Sequence, residues 1–138
     1  MIFLDADFLM SLLISTEKHH HKAIKIYEKI KKERLIISNS IILEVMTVSN
    51  IKIKVSSEKL KEIYICLNSD SFEVFEDIEI YDDTMERQFS YHPQRLPFFD
   101  CLYIELMEQL GIEKIVTFDK HFNNKGIEVV GKAEFEIF

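Results

Sequence analysis

Apolar residues come in short runs separated by amphipathic stretches. Ile2-Phe3-Leu4 is a short apolar run ending at Asp5 and fits a buried strand. Phe8 to Ile14 then predicts a short helix. Ser15-Thr16 marks the start of the next helix, in which Ala23, Ile24, Tyr27 and Ile30 fall at helical spacing opposite Lys22, Lys25, Glu28 and Lys29. Leu35-Ile36-Ile37 is the second strand, and Ser38-Asn39-Ser40 caps a helix over Ile41 to Thr47. Ser56-Ser57-Glu58 opens a helix with Leu60, Ile63, Tyr64 and Leu67 on one side, and Phe72 to Phe75 is a weaker third strand. Helical patterns follow over 79–91 and 98–110, split by His92 to Pro97, and Gly111 stops the second. Lys114 to Phe118 and Ile127 to Val130 complete five strands.

Short strands alternating with helices predict right-handed βαβ crossovers. The expected fold is therefore α/β, a three-layer sandwich with a short-stranded parallel sheet between helices. The length of 138 residues suits one domain over 1–138 with one core. Such sheets bind ligands beyond the carboxyl ends of the strands, where strand order reverses. The order itself does not follow from the sequence.

Composition narrows the partners. Lys and Arg number 17 against 24 Asp and Glu, a net charge of −7, which argues against a free-standing duplex-DNA binder. No run reaches the ~18 apolar residues of a membrane span, and the start MIFLDADFLM lacks the basic segment of a signal peptide. Cys66 and Cys101 have no metal-site or disulfide-framework spacing and read as core residues in a reducing cytoplasm.

Four acids interrupt apolar sequence: Asp5 after Ile2-Phe3-Leu4, Glu44 within Ile41 to Met46, Asp100 within Leu96 to Leu102, and Asp119 after Ile115 to Phe118. Each has an ordinary reading, as helix cap, snorkelling side chain or first-turn acid. Together they fall where a parallel sheet gathers its ligand. Four carboxylates there would repel by about 3 kcal/mol per pair at ~5 Å, which a hard divalent cation such as Mg²⁺ or Mn²⁺ reverses. With no phosphate-binding glycine loop, zinc-type spacing or nucleophile-elbow serine, metal-assisted hydrolysis of a phosphodiester is the chemistry left.

These stretches resemble the PIN domain, the fold of many small RNA-cleaving nucleases and of VapC-type toxins of toxin–antitoxin pairs. The likeness runs through Ile2-Phe3-Leu4-Asp5-Ala6-Asp7, then Ser38-Asn39-Ser40 up to Glu44-Val45. It continues with Leu96-Pro97-Phe98-Phe99-Asp100 through Gly111, and ends with Val116-Thr117-Phe118-Asp119-Lys120-His121-Phe122. It implies that Asp5, Glu44, Asp100 and Asp119 form a catalytic Mg²⁺/Mn²⁺ site. Asp5 and Asp100 rank first as direct ligands, with Glu44 and Asp119 acting through water or orienting the nucleophile. Asp7 is either an accessory polar residue or a first-turn helix acid, and Thr117 either bonds a ligand carboxylate or is an ordinary strand residue. Many members carry Arg or a Gly-rich stretch before the third acid, where this chain has Phe98-Phe99. These rings and Tyr91 either stack on a base or pack in the core or a dimer interface.

The resemblance further implies an RNA substrate, a cognate antitoxin, a homodimer and a cytoplasmic, membrane-free setting. The alternative is a catalytically inactive PIN-like scaffold in an RNA-processing or regulatory assembly. A third reading, the D-x-D of a haloacid-dehalogenase-type phosphatase at Asp5-Ala6-Asp7, wants Thr or Val where Leu9 stands. His19-His20-His21 reads as a polar helix start, and Glu76-Asp77 and Asp82-Asp83 as solvated charge pairs; His121, close to Asp119, either touches phosphate or is a surface residue on a turn.

Overall fold

The apolar runs at residues 2–4, 35–37 and 115–116 become strands with both faces covered. The structure, a computed structural model, describes residues 1–131. Residues 132–138 of the expected domain lie outside the described residues. Along the chain come β1 (Ile2–Leu4), α1 (Ala6–Leu13), α2 (His20–Ile30), β2 (Leu35–Ser38) and α3 (Asn39–Val48). A π-helical turn, Ser49–Ile53, leads to α4 (Ser57–Leu67) and β3 (Glu73–Phe75). The 3₁₀ turn Ile78–Ile80 precedes α5 (Tyr81–Tyr91) and α6 (Phe98–Leu110). Then come β4 (Lys114–Val116), a 3₁₀ turn at Lys120–Phe122 and β5 (Glu128–Val129).

Among the described residues the sheet runs β3-β2-β1-β4-β5, all parallel, with six α-helices flanking it. The chain starts in the middle, builds outward through β2 and β3, and returns to add β4 and β5 on the other side. The order therefore reverses between β1 and β4, whose register pairs Leu4 with Val116. Both strands end there, at Asp5 and Thr117, and that is where this architecture places a ligand. Ile2, Phe3, Leu4, Ile36, Ile37, Ile115 and Val116 are all buried, as expected of strands sandwiched by helices. Cys101 is buried, Cys66 is half-buried, and both are free thiols. Among the described residues no helix is long and apolar enough to cross a membrane.

Local signals misplaced some boundaries. α2 begins at His20 rather than Ser15-Thr16, because the His20 Nδ1–H donates to the Ser11 carbonyl at 2.8 Å and folds the intervening residues into turns. Its buried stripe is Ala23, Ile26 and Ile30, while Ile24 is exposed. β4 stops at Val116 because the next amides leave the sheet: Phe118 N–H donates to the Asp7 carboxylate instead of a neighbouring strand.

Asp77 corrects the expectation of a solvated pair. It is fully buried, and its Oδ1 accepts from the Ser40 hydroxyl at 2.7 Å and the Ser40 amide at 3.3 Å. In return the Asp77 amide donates to Asn39 Oδ1 at 2.9 Å. The start of α3 is thus clamped by an acid far along the chain, in addition to its own cap, in which Ser38 Oγ accepts from the Ile41 amide. Asp77→Ala would strand a buried hydroxyl and a helix-end amide, with an expected loss of about 2 kcal/mol. Calorimetry should then show a melting midpoint lower by about 6–10 °C.

Candidate metal centre

Asp5 leaves β1 with extended backbone, so its Oδ1 caps α1 by accepting from the Ala6 amide at 2.8 Å. The same carboxylate turns its Oδ2 to the Thr117 hydroxyl at 2.7 Å. Asp5 is thus both a helix cap and a wall of the cleft. Thr117 Oγ1 also accepts from the Asp119 amide at 3.0 Å, joining the end of β1 to the loop after β4. Asp7, in the first turn of α1, receives the Phe118 amide at 3.1 and 3.2 Å on its two oxygens. Both alternatives for Asp7 therefore hold: it is a first-turn acid and part of the same network.

On the other side, Asp119 caps the Lys120–Phe122 turn, its Oδ1 accepting from the His121 amide at 2.9 Å. That turn brings the His121 ring between two acids, with Nδ1 2.7 Å from Asp100 Oδ2 and 3.1 Å from Asp119 Oδ2. Asp100, the third residue of α6, is buried. Glu44, on α3, is half-buried, and its Oε1 accepts from the Tyr103 hydroxyl at 2.9 Å.

The acids form one electrostatic unit. Asp5 is raised well above the usual carboxylate range by burial, then by repulsion from Asp7 and Glu44, against the opposing bonds from Thr117 and the Ala6 amide. Burial pushes Asp7 up to about 7, with the Phe118 amide opposing and Asp119 adding repulsion. Glu44 is raised by burial and by Asp100 and Asp119, against the Tyr103 bond. Asp100 is raised by burial and by Asp119, against His121.

Donor atoms of Asp100, Asp119 and His121 lie within 4.8 Å of one another. That is close to the spacing of ligands around one ion with bonds of about 2.1 Å. Asp5 and Glu44 do not fall within that span. Asp119, rather than Asp5, therefore shares the tightest donor group with Asp100, while Asp5 is tied in through Thr117. Clustered carboxylates, reluctant to ionise beside one another, are a donor set that fits a hard divalent cation. His121 is a partly exposed residue on a turn, and its ring joins the two acids. The His at the second position after Asp119 was the one signal available. Aromatic rings neighbour the acids in sequence: Phe118, before Asp119, meets the His19 ring edge-on at 4.9 Å, and Phe99, before Asp100, is exposed.

A family model described as PIN domain matches residues 2–128. No curated protein matches the sequence significantly. Among solved structures, VapC20 of Mycobacterium tuberculosis, described as a sarcin-ricin loop cleaving toxin, aligns with a TM-score of 0.82 and 19% identity, covering 92% of this chain and 96% of its own. A Pyrobaculum aerophilum protein aligns with a TM-score of 0.62 and 25% identity, covering 99% and 93%. FitAcB from Neisseria gonorrhoeae gives 0.68 and 14%, covering 94% and 96%.

Proposed function

The chain belongs to the PIN domain family, and from that premise we propose that it is a Mg²⁺- or Mn²⁺-dependent endoribonuclease, the toxin of a toxin–antitoxin pair. The observation that carries the reading is the gathering of Asp5, Asp7, Glu44, Asp100 and Asp119 at the β1/β4 reversal, where burial and a neighbouring acid raise the pKa of each of Asp5, Asp7, Glu44 and Asp100. A scaffold gains nothing from buried like charges. The likeness to VapC20, described as a sarcin-ricin loop cleaving toxin, supports RNA as the substrate.

In this reading Asp5, Glu44, Asp100 and Asp119 hold the ion, directly or through water. When bound, it supplies a water of lowered pKa and positive charge for the phosphate and the leaving oxygen. Asp119 is the more open of the acids beside His121 and orients the attacking water, accepting its proton. Water oxygen joins phosphorus, the bond to the leaving ribose oxygen breaks, and that oxygen takes up a proton. Thr117 holds Asp5 in place throughout, and His121 faces the phosphate.

A cleft this negative suits a basic segment of an antitoxin. Ile78, Tyr81, Met85 and Phe89 are exposed at helical spacing along the outer face of α5 and the turn before it, which supports a homodimer. A cytoplasmic setting follows from the same assignment.

Binding should appear in thermal stability. Mn²⁺ at ten times its dissociation constant is expected to add about 1.4 kcal/mol. That is a rise of about 3–5 °C in the melting midpoint. A midpoint indifferent to Mn²⁺ would favour the scaffold.

A further inference from the structure

Tyr103 links the elements that carry Asp5, Glu44 and Asp100. It lies on α6 one turn after Asp100 and is fully buried. Its ring packs on Phe3 of β1, two residues before Asp5, with centroids 5.6 Å apart. Its hydroxyl reaches Glu44 Oε1 on α3 at 2.9 Å.

For packing alone, a phenylalanine would serve as well. A buried hydroxyl requires a partner, and here it finds one on a carboxylate expected to hold a metal. Glu44 stands at the edge of the buried face: Ser40 and Ile41, one turn back, are buried, while its neighbour Leu43 is 59% exposed and Thr47, one turn on, is also exposed. A free glutamate at such a position gains both hydration and rotamer entropy by swinging outward. The phenol has one proton, and giving it to Oε1 opposes that swing while leaving Oε2 for another partner. The backbone beneath is fixed as well, since Ser40, one turn before Glu44, is bound by Asp77.

We propose that Tyr103 is a positioning residue that, through its hydroxyl, holds the Glu44 carboxylate inward at the acid cluster instead of in solvent. The inference rests on reading that cluster as a metal centre.

The test is Mn²⁺ binding by calorimetry at one pH for the wild type, Tyr103→Phe, Glu44→Ala and the double variant, with the metal-free melting curve of each as a check on folding. Tyr103→Phe is expected to weaken Mn²⁺ binding about tenfold, the lower end for a hydrogen-bond partner of a metal ligand. In the Glu44→Ala background the same change should alter affinity less than about twofold, because its target is gone. Undiminished binding by Tyr103→Phe, or an equal loss in both backgrounds, overturns the proposal. Flat titrations for all four proteins, wild type included, would overturn the metal-centre reading and this inference with it.

Discussion

Asp5→Asn is expected to make the metal-free protein more stable while abolishing its response to Mn²⁺ and its cleavage of RNA. The amide can keep the local bonds: Oδ1 still accepts from the Ala6 amide, and Nδ2 can donate to Thr117 Oγ1 after the hydroxyl turns. What disappears is a buried charge facing Asp7 and Glu44. Relief of that repulsion should raise stability by about 1–2 kcal/mol. The metal-free midpoint then rises by about 3–8 °C. Cleavage should fall more than about 100-fold, as when one preorganised electrostatic group is lost from an active site. Asp100→Asn should lose activity to a similar degree with a smaller gain in stability, because it also gives up the carboxylate that pairs with His121. Melting curves with EDTA and with Mn²⁺, beside an RNA cleavage assay, check both variants. A lower midpoint for Asp5→Asn, together with a wild type that ignores Mn²⁺, would identify Asp5 as a helix cap and nothing more.

The second large effect is on pH. Asp5, Asp7, Glu44 and Asp100 all hold their protons more tightly in the folded chain than unfolded carboxyls do, chiefly because of burial. Folding is therefore favoured most by these groups below about pH 4, where both states are protonated. The contribution is lost as pH rises through the folded values, about 7 for Asp7. Each group that titrates differently in the two states contributes a slope of up to about 1.4 kcal/mol per pH unit. With EDTA present, the protein should melt lower at about pH 8 than at about pH 5. Saturating Mn²⁺ should oppose this trend, since the ion needs ionised carboxylates and its stabilisation grows with pH. A metal-free protein that gains stability steadily over that range would contradict the electrostatic picture.

Residues whose signal is local were readable from the sequence. Asp5, Glu44, Asp100 and Asp119 stood out because a charge inside an apolar run is costly; in the structure Asp100 and Asp119 share one donor group, Glu44 is repelled by both, and Asp5 is repelled by Glu44. The α/β fold was readable for the same reason, since buried parallel strands are continuous apolar runs. The strand order was not: β4 pairs with β1 across more than a hundred residues, and no local pattern encodes that choice. His121 depends on an acid 21 residues upstream, and Asp77 on a serine 37 residues upstream. Both looked like ordinary surface residues because their partners come from other elements. Tyr103 lies inside the helix expected over 98–110, and only the fold shows that its hydroxyl meets Glu44. The start of α2 was misplaced for a similar reason. Ser15-Thr16 has the chemistry of a cap, but the bond from His20 to the Ser11 carbonyl delays the helix.

The most direct measurement is cleavage of a structured RNA by the purified wild type and Asp100→Asn, each with EDTA or Mn²⁺, with the chemistry of the new ends identified. Water-mediated hydrolysis predicts cleavage only by the wild type with Mn²⁺, leaving a hydroxyl on one new end and a phosphate on the other. Cleavage that persists in EDTA or in Asp100→Asn, or that leaves 2′,3′-cyclic phosphate ends, would mean that the acid cluster is not the catalytic centre.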